Sequence, residues 1–156
     1  MIREAIPAEE IDELFGLWEE LMQLHQSHHA VFKVKPNSSQ QLKAGLLSRL
    51  KEKDTKVFVY EVNQEPVGMI VVSIRRSADG FKLATKGLIA ETIVKQSYRG
   101  GGVGQELLDA ARKWLTDKGA DHIELQVSIN NTGAARFWQK QGFSISTQHM
   151  VLPLKA

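Results

Sequence analysis

The chain has 156 residues, 42% of them apolar and 24% charged, which describes one globular domain over residues 1–156 rather than a disordered or fibrous protein. Twenty basic and eighteen acidic side chains leave a formal charge of +2, too small for the broad basic face that binds nucleic acid. The chain has no cysteine, which excludes disulfides and thiolate metal sites and fits a reducing compartment. The N-terminus lacks the apolar core of a signal peptide, and no apolar run reaches about 18 residues. We therefore expect a cytoplasmic protein without a membrane partner.

The first half of the chain predicts a strand, two helices and a hairpin. A short strand at residues 2–6 precedes Pro7, which opens an amphipathic helix. Its apolar face consists of Ile11, Leu14, Phe15, Trp18, Leu21, Met22 and His25. A second helix has leucines at four-residue spacing and follows the capping residues Asn37, Ser38 and Ser39. Residues 56–62 and 67–74 are β-rich runs joined by a turn-like spacer.

The second half alternates strands and helices around a glycine loop. Its segments are a strand at 87–94, the loop at 99–104, a helix that Gly119 ends, a strand at 123–127, a helix at 131–141 and strand material at 143–154. The predicted order is β-α-α-β-β-β-α-β-α-β(β), without internal repeats or linkers.

The glycine loop has the features of an anion site. Glycines that run into a helix start expose backbone N–H groups at the positive end of the helix dipole. The P-loop motif does not fit, because Gly104 is followed by Gln105 and Glu106 instead of Lys and Ser or Thr. The dinucleotide fingerprint also fails, since Leu107 stands where its third glycine belongs. A plain glycine turn between strand and helix is the alternative.

Two motifs resemble those of the GNAT superfamily of N-acetyltransferases. The first is R-x-x-G-x-G, written here as Arg99-Gly100-Gly101-Gly102-Val103-Gly104. The second is Asn131-x-x-Ala134-x-x-Phe137-Trp138-x-x-x-Gly142-Phe143. The resemblance implies an α/β (α+β) fold with a mixed, mostly antiparallel sheet of six to seven strands, splayed in the middle, and about four helices on its two faces.

The resemblance also implies an activity and a cofactor site. A bound primary amine would attack acetyl-CoA directly, without a covalent enzyme intermediate. Backbone groups of Thr92 and Val94 would bind the pantetheine arm, and the Val94 N–H would stabilise the oxyanion. The loop residues Arg99, Gly100, Gly101, Gly102, Val103 and Gly104 would hold the pyrophosphate, with further cofactor contacts from Asn131, Ala134 and Trp138.

The motifs indicate the catalytic acid and base less clearly than they indicate the cofactor site. Glu91, on the cofactor-facing strand, is the candidate base, and a solvent-facing strand residue is the alternative, because a bulge would change the phase of the strand. Trp138 stands where the family often has a tyrosine that protonates the leaving thiolate. An indole N–H cannot supply that proton, so the catalytic set predicted here is Glu91 and Val94.

The histidines of the first helix have two interpretations. His25, His28 and His29 have the spacing of metal ligands, but no neighbouring carboxylate or thiolate completes a set, so we expect no metal. The resemblance instead places this helix end at the wall of the acceptor site, where Glu19 and Glu20 are further substrate contacts; a solvated helix face is the alternative.

Two other functions stay open at this stage. One is a silent module that senses acyl-CoA, since the tyrosine is missing. The other is nucleic-acid binding through Arg75, Arg76, Lys82 and Lys86, which the low net charge disfavours. The expected partner is an amine, either a small molecule or a protein amine, and the resemblance leaves a homodimer open.

Overall fold

The computed structural model describes residues 1–155. The strands within that range are β1 Ile2–Glu4, β2 Thr55–Val62, β3 Glu65–Arg76, β4 Thr85–Val94 and β5 His122–Leu125. The α-helices are α1 Pro7–Gln26, α2 Ser39–Leu50, α3 Val103–Asp117 and α4 Thr132–Lys140. Short 3-10 turns follow α1 at Ala30–Phe32 and β4 at Gln96–Tyr98.

The five strands form one sheet in chain order, β1-β2-β3-β4-β5. Neighbours are antiparallel up to β4, whereas β4 and β5 are parallel and are connected through α3. Parallel strands need such a crossover because the chain leaves one strand at the end of the sheet opposite to the one where the next strand begins. This mixed, mostly antiparallel sheet with four helices in the described range confirms the expected fold class.

The sheet has a hydrophobic core on each face, because side chains alternate along its strands. Val59 and Met69 belong to the core under α1 and α2, which we call the α1/α2 face. Phe58 and Ile70 belong to the core under α3 and α4, the α3/α4 face. Each fully buried aliphatic side chain contributes roughly 1.5–3 kcal/mol, so both layers of helices are held against the sheet.

A glycine allows α3 to lie close to β4. A Cβ atom added to Gly87 would be only 2.9 Å from Cδ1 of Leu115, and Leu115 is itself fully buried. Any larger residue at this position would push α3 away from the sheet. The close contact fixes α3, and with it the glycine loop that begins this helix.

The strand count differs from the expectation of six to seven. The segment 143–154, expected to form the last strand, has no regular secondary structure, and β5 ends at Leu125 instead of residue 127. A strand persists only when its backbone groups pair with a neighbour, and this segment pairs with none in residues 1–155. No helix in the same range is both long and apolar enough to cross a bilayer.

Candidate active site

A cleft opens where β4 and β5 part. Their parallel pairing begins at Lys86 and His122 and ends at Ile89 and Leu125, although β4 continues to Val94. Helices α1 and α4 border the gap. The residues that line the cleft are Leu21, His25, Ile89, Ala90, Glu91, Thr92, Leu125, Gln126, Val127, Ser128, Asn131, Ala134 and Trp138. The splayed sheet expected between these two strands is therefore present.

A β-bulge at Ala90 decides which way the residues of the cleft wall point. Ile89 pairs with Val72 and Glu91 pairs with Val71, so Ala90 is an extra residue in β4. Without it, Glu91 would share the α3/α4 face of Ile89. With it, Glu91 shares the α1/α2 face of its partner Val71, and the next residue, Thr92, faces α3 and α4.

The edge of β4 beyond the bulge offers free backbone groups to the cleft. The Lys95 N–H donates to the Val67 carbonyl at 2.8 Å, which fixes the phase of the antiparallel ladder with β3. In such a ladder, alternate residues turn their N–H and C=O groups to opposite edges, so Thr92 and Val94 turn theirs away from β3. The Thr92 hydroxyl is also buried without a hydrogen-bond partner. This wall can therefore bind a polar ligand.

The glycine loop presents an open anion site at the start of α3. Gly100 and Gly102 have φ angles of +80° and +88°, and a Cβ added to either would meet nothing within 4 Å. The first helical hydrogen bond runs from the Glu106 N–H to the Gly102 carbonyl, which leaves the N–H groups of residues 103–105 without helical partners. Arg99 stays beside the loop, because its Nε donates to the Val94 carbonyl at 2.9 Å.

Helix α4 forms the opposite wall and connects to the loop. The Asn131 side chain caps α4 by accepting from the Ala134 N–H at 3.2 Å, which uses the oxygen of its amide. Trp138 is buried and stacks edge-on with Phe137 and Phe143. An added Cβ at Gly104 would lie 3.6 Å from the Phe137 ring, so loop and helix are in contact. Trp138 thus belongs both to the hydrophobic core and to the lining of the cleft.

Glu91 is a half-buried carboxyl between helix and sheet. Burial raises the pKa of Glu91, while the charge of Arg49 and the indole N–H of Trp18 oppose that shift. Trp18 Nε1 has no hydrogen-bond partner of standard geometry, and the Arg49 guanidinium lies 6.0 Å from the centre of the Trp18 ring. The solvent-facing alternative for Glu91 is wrong, since its side chain is buried on the α1/α2 face beside Trp18 and Arg49.

His25 lines the same cleft from the α1 side. Burial lowers the pKa of His25, and the nearby His28 lowers it further, so its imidazole is neutral at physiological pH. Its ring centroid is 5.0 Å from that of Phe32. The end of α1 is tied to the opposite wall, because Asn130 Nδ2 donates to the His28 carbonyl at 3.1 Å.

Several of the residues considered for metal or nucleic-acid binding make other contacts within the described chain. No group of three or more acidic or histidine side chains in residues 1–155 could hold a metal ion, and His29 Nδ1 accepts from the Val31 N–H instead. Two of the four basic residues singled out for nucleic acid are paired with carboxylates: Arg75 with Glu52 at 3.3 Å and Lys86 with Glu124 at 3.6 Å.

A comparison with protein families decides the classification. The model of the acetyltransferase (GNAT) family matches residues 17–143, which includes both motifs and the whole cleft. The chain belongs to the GNAT family. The resemblance drawn from the two motifs is thereby confirmed.

Individual relatives support this membership at modest identity. An N-alpha-acetyltransferase of Sulfurisphaera tokodaii is 32% identical over 102 residues, which covers 62% of this chain and 61% of the relative. The solved structure of a tetramutant of the Bacillus halodurans protein BH1408 matches 99% of both chains with a TM-score of 0.85 and 23% identity. The aminoglycoside N-acetyltransferase AAC(6')-Iy, solved in complex with CoA, matches both chains fully with a TM-score of 0.72 and 18% identity.

The fold brings five of the twelve site residues singled out from the sequence into the cleft lining, and Val94 and the glycine loop lie outside it. Glu91, Thr92, Asn131, Ala134 and Trp138 line the cleft. The loop 99–104 lies at the start of α3, beside α4 rather than in the cleft lining. Sequence reasoning missed the surroundings of Glu91, which are Ala90, Trp18 and Arg49. The sequence pattern assigned Trp18 to the apolar face of α1. No sequence signal indicated that it lies beside Glu91 on β4, more than 70 residues away.

The raised pKa of Glu91 predicts a pH-dependent gain in stability for Glu91→Gln. A carboxyl whose pKa is raised by folding stabilises the protein below its unfolded pKa, near 4.5, and that contribution is lost as pH rises through the folded value. The melting temperature of the Gln variant should therefore move upward relative to wild type between about pH 4.5 and neutrality. Thermal unfolding across this range tests it, with Glu13→Gln on the exposed face of α1 as control. A difference that does not change with pH would show that folding does not raise the pKa of Glu91.

Proposed function

We propose that this chain transfers the acetyl group of acetyl-CoA to a primary amine by direct attack in a ternary complex. The observation that carries the proposal is the free edge of β4 at Thr92 and Val94, which leads directly into the open glycine loop at the start of α3. CoA is bound in the related structure of AAC(6')-Iy. We further propose that residues 1–156 form one domain located in the cytoplasm, which the absence of cysteine fits.

The cofactor site combines a strand edge with a helix start. The N–H groups of residues 100–105 point a partial positive charge at the pyrophosphate, and the fixed Arg99 adds a full charge. Thr92 pairs with the amides of the pantetheine arm through its N–H and C=O, and Val94 through its N–H, because the Val94 carbonyl already accepts from Arg99 Nε. Asn131, Ala134 and Trp138 close the other side of that arm.

The amine must lose a proton before it can attack. A lysine-like amine with a pKa of about 10.4 is mostly protonated at pH 7, which corresponds to a deficit of roughly 4–5 kcal/mol. Glu91 accepts that proton, because its raised pKa brings it closer to the operating pH. The Val94 N–H then donates to the carbonyl oxygen as negative charge develops on it. His25, a neutral imidazole in the same cleft, is a second proton acceptor.

The acceptor side of the cleft favours a cationic amine. Glu91 lines the cleft, and Glu20 lines a groove with Lys95, Gln96 and Ser97. The Glu20 carboxylate accepts from the Gln96 N–H at 3.3 Å, which joins α1 to the end of β4. An N-alpha-acetyltransferase and an aminoglycoside N-acetyltransferase are among the similar proteins, so we propose a small-molecule or protein amine as acceptor.

A sensor of acyl-CoA is the second candidate function. It is favoured by Trp138, which stands where a proton-donating tyrosine is common in the GNAT family and packs between Phe137 and Phe143. The enzyme does not require that tyrosine, because a thiol with a pKa near 8.5 leaves as a thiolate at a cost of about 2 kcal/mol near neutral pH. Binding of acetyl-CoA without turnover on any amine would favour the sensor.

Gly102→Glu should weaken acetyl-CoA binding. The new side chain places a negative charge in the loop at a φ of +88°, where it repels the pyrophosphate, and we expect the dissociation constant to rise at least about tenfold. Titration calorimetry with acetyl-CoA measures this change. Gly80→Glu is the matched control, because Gly80 has a φ of +97° and open space but lies in the β3–β4 turn. Equal binding by wild type and Gly102→Glu would contradict the proposed cofactor site.

Glu91→Gln should remove the base without removing cofactor binding. In the wild type, kcat/KM should rise with pH as Glu91 ionises through its raised pKa. In the variant that rise should disappear and kcat/KM at neutral pH should fall on the order of 100-fold. Steady-state kinetics with a panel of polyamines, lysine peptides and aminoglycosides measure this change. Glu13→Gln is again the control variant. Unchanged kinetics in Glu91→Gln would assign the proton to another acceptor.

A further inference from the structure

The Trp18 indole N–H is a buried donor without a hydrogen-bond partner in the described chain. Trp18 is only 6% exposed, and its Nε1 atom is shielded from water. Native proteins pair nearly all of their buried polar groups, because an unpaired group loses its bonds to water and gains none. A donor left in this way is available to an acceptor that comes within reach.

Two neighbours fix the plane of this indole. The Phe15 ring stacks on it with a centroid distance of 5.6 Å and an interplanar angle of 20°. The Arg49 guanidinium lies 6.0 Å from the ring centroid, which is the range of a cation–π contact. Helix α2, which carries Arg49, is joined to α1 by the salt bridge between Lys43 and Asp12 at 2.9 Å. Packing therefore sets the direction of the indole N–H.

The Glu91 carboxyl is the acceptor on the same face of the sheet. The bulge at Ala90 turns Glu91 to the α1/α2 face, and its partner Val71 belongs to the same core cluster as Trp18. The indole N–H and the charge of Arg49 both lower the pKa of Glu91, against the larger effect of burial. Both groups therefore favour the carboxylate over the neutral carboxyl.

Arg49 is the cation whose charge reaches Glu91. It takes part in no salt bridge within residues 1–155. Among the described residues that line the cleft, the titratable side chains are Glu91 and His25, and burial keeps His25 neutral. The Glu20 carboxylate, also on α1, accepts from the Gln96 N–H at 3.3 Å. No other cation competes with Arg49 among these groups.

We propose, building on the role of Glu91 as the base, that Trp18 and Arg49 are its positioning residues. The indole N–H donates to one oxygen of the Glu91 carboxylate, and the guanidinium over the same ring supplies the opposite charge. The other carboxylate oxygen stays free to take the proton of the amine. Burial alone favours the neutral carboxyl, which cannot accept that proton. Trp18 and Arg49 thus keep a half-buried base ionised and in a fixed direction.

The titration of Glu91 is the first readout. Carbon-13 NMR of protein labelled at glutamate follows its carboxyl signal, which is assigned by its loss in Glu91→Gln. Trp18→Phe removes the N–H and keeps a stacking ring, while Arg49→Met removes the charge. Each should raise the pKa of Glu91, and Arg49→Lys, which keeps the charge, should restore most of the wild-type titration. An unchanged titration in Trp18→Phe and Arg49→Met would overturn the proposal.

A second pair of a tryptophan and a cation provides the matched control. Lys118 Nζ lies 5.8 Å from the centroid of the Trp114 ring, at the end of α3 on the other face of the sheet. Trp114→Phe and Lys118→Met should leave the titration of Glu91 unchanged. Arg49 is exposed, so Arg49→Met keeps the test decisive even if Trp18→Phe fails to fold. An equal shift in the Trp114 and Lys118 variants would overturn the proposal, because it would reflect packing in general.

Steady-state kinetics then connect this carboxyl to acetyl transfer. In Arg49→Met the rise of kcat/KM with pH should move upward with the NMR titration, which lowers kcat/KM about three- to tenfold on the acid side. In the Glu91→Gln background the same substitution should change kcat/KM by less than about twofold, since the two residues act as one unit. The dissociation constant of acetyl-CoA should be unchanged.

The two readouts distinguish failure of the positioning role from failure of the proposed function. A shifted titration in a protein without turnover on any amine would support the hold on Glu91 and contradict acetyl transfer. Turnover by the wild type together with a full loss from Arg49→Met in the Glu91→Gln background would overturn the positioning role, because Arg49 would then act independently of Glu91.

Discussion

The parting of β4 from β5 is the constraint on which the rest of the site depends. Backbone groups inside a sheet are paired, and a strand can bind a ligand through them only where its neighbour stops. Here the parallel pairing stops at Ile89, one residue before the bulge at Ala90. The bulge then directs Glu91 to the α1/α2 face and Thr92 to the α3/α4 face. One extra residue therefore places the proposed base and the proposed cofactor contact on opposite faces of the sheet.

The two cores hold this open cleft in place. On one face, Trp18 and its neighbours on α1 pack against the sheet and surround Glu91 with apolar groups, so that its pKa is raised. On the other face, α3 lies close to β4 because Gly87 has no side chain. The glycine loop at the start of α3 is thereby fixed beside the free edge of β4. The packing that stabilises the two cores therefore also positions the residues of the cleft and the glycine loop.

The sequence predicted the positions of the helices and strands better than the contacts between them. Periodicity and capping signals located α1 to α4 and the strands, and the two motifs located the loop and the start of α4. The phase of Glu91 could not be predicted, because a bulge changes side-chain direction without leaving a pattern in the sequence. The segment 143–154 was predicted as a strand of this sheet and is unpaired, since strand composition does not name the edge with which a strand pairs. The partners Trp18 and Arg49 come from helices distant in sequence.

Amide hydrogen exchange followed residue by residue, with and without acetyl-CoA, tests the central claim most directly. The account predicts slower exchange at Thr92 and Val94 and at the amides of residues 102–105, all of which lack partners in the protein alone. The Lys95 amide, already bonded to Val67, should not change. Protection that leaves Thr92 and Val94 unaffected would contradict the claim that the edge exposed by the parting of β4 and β5 is the cofactor site.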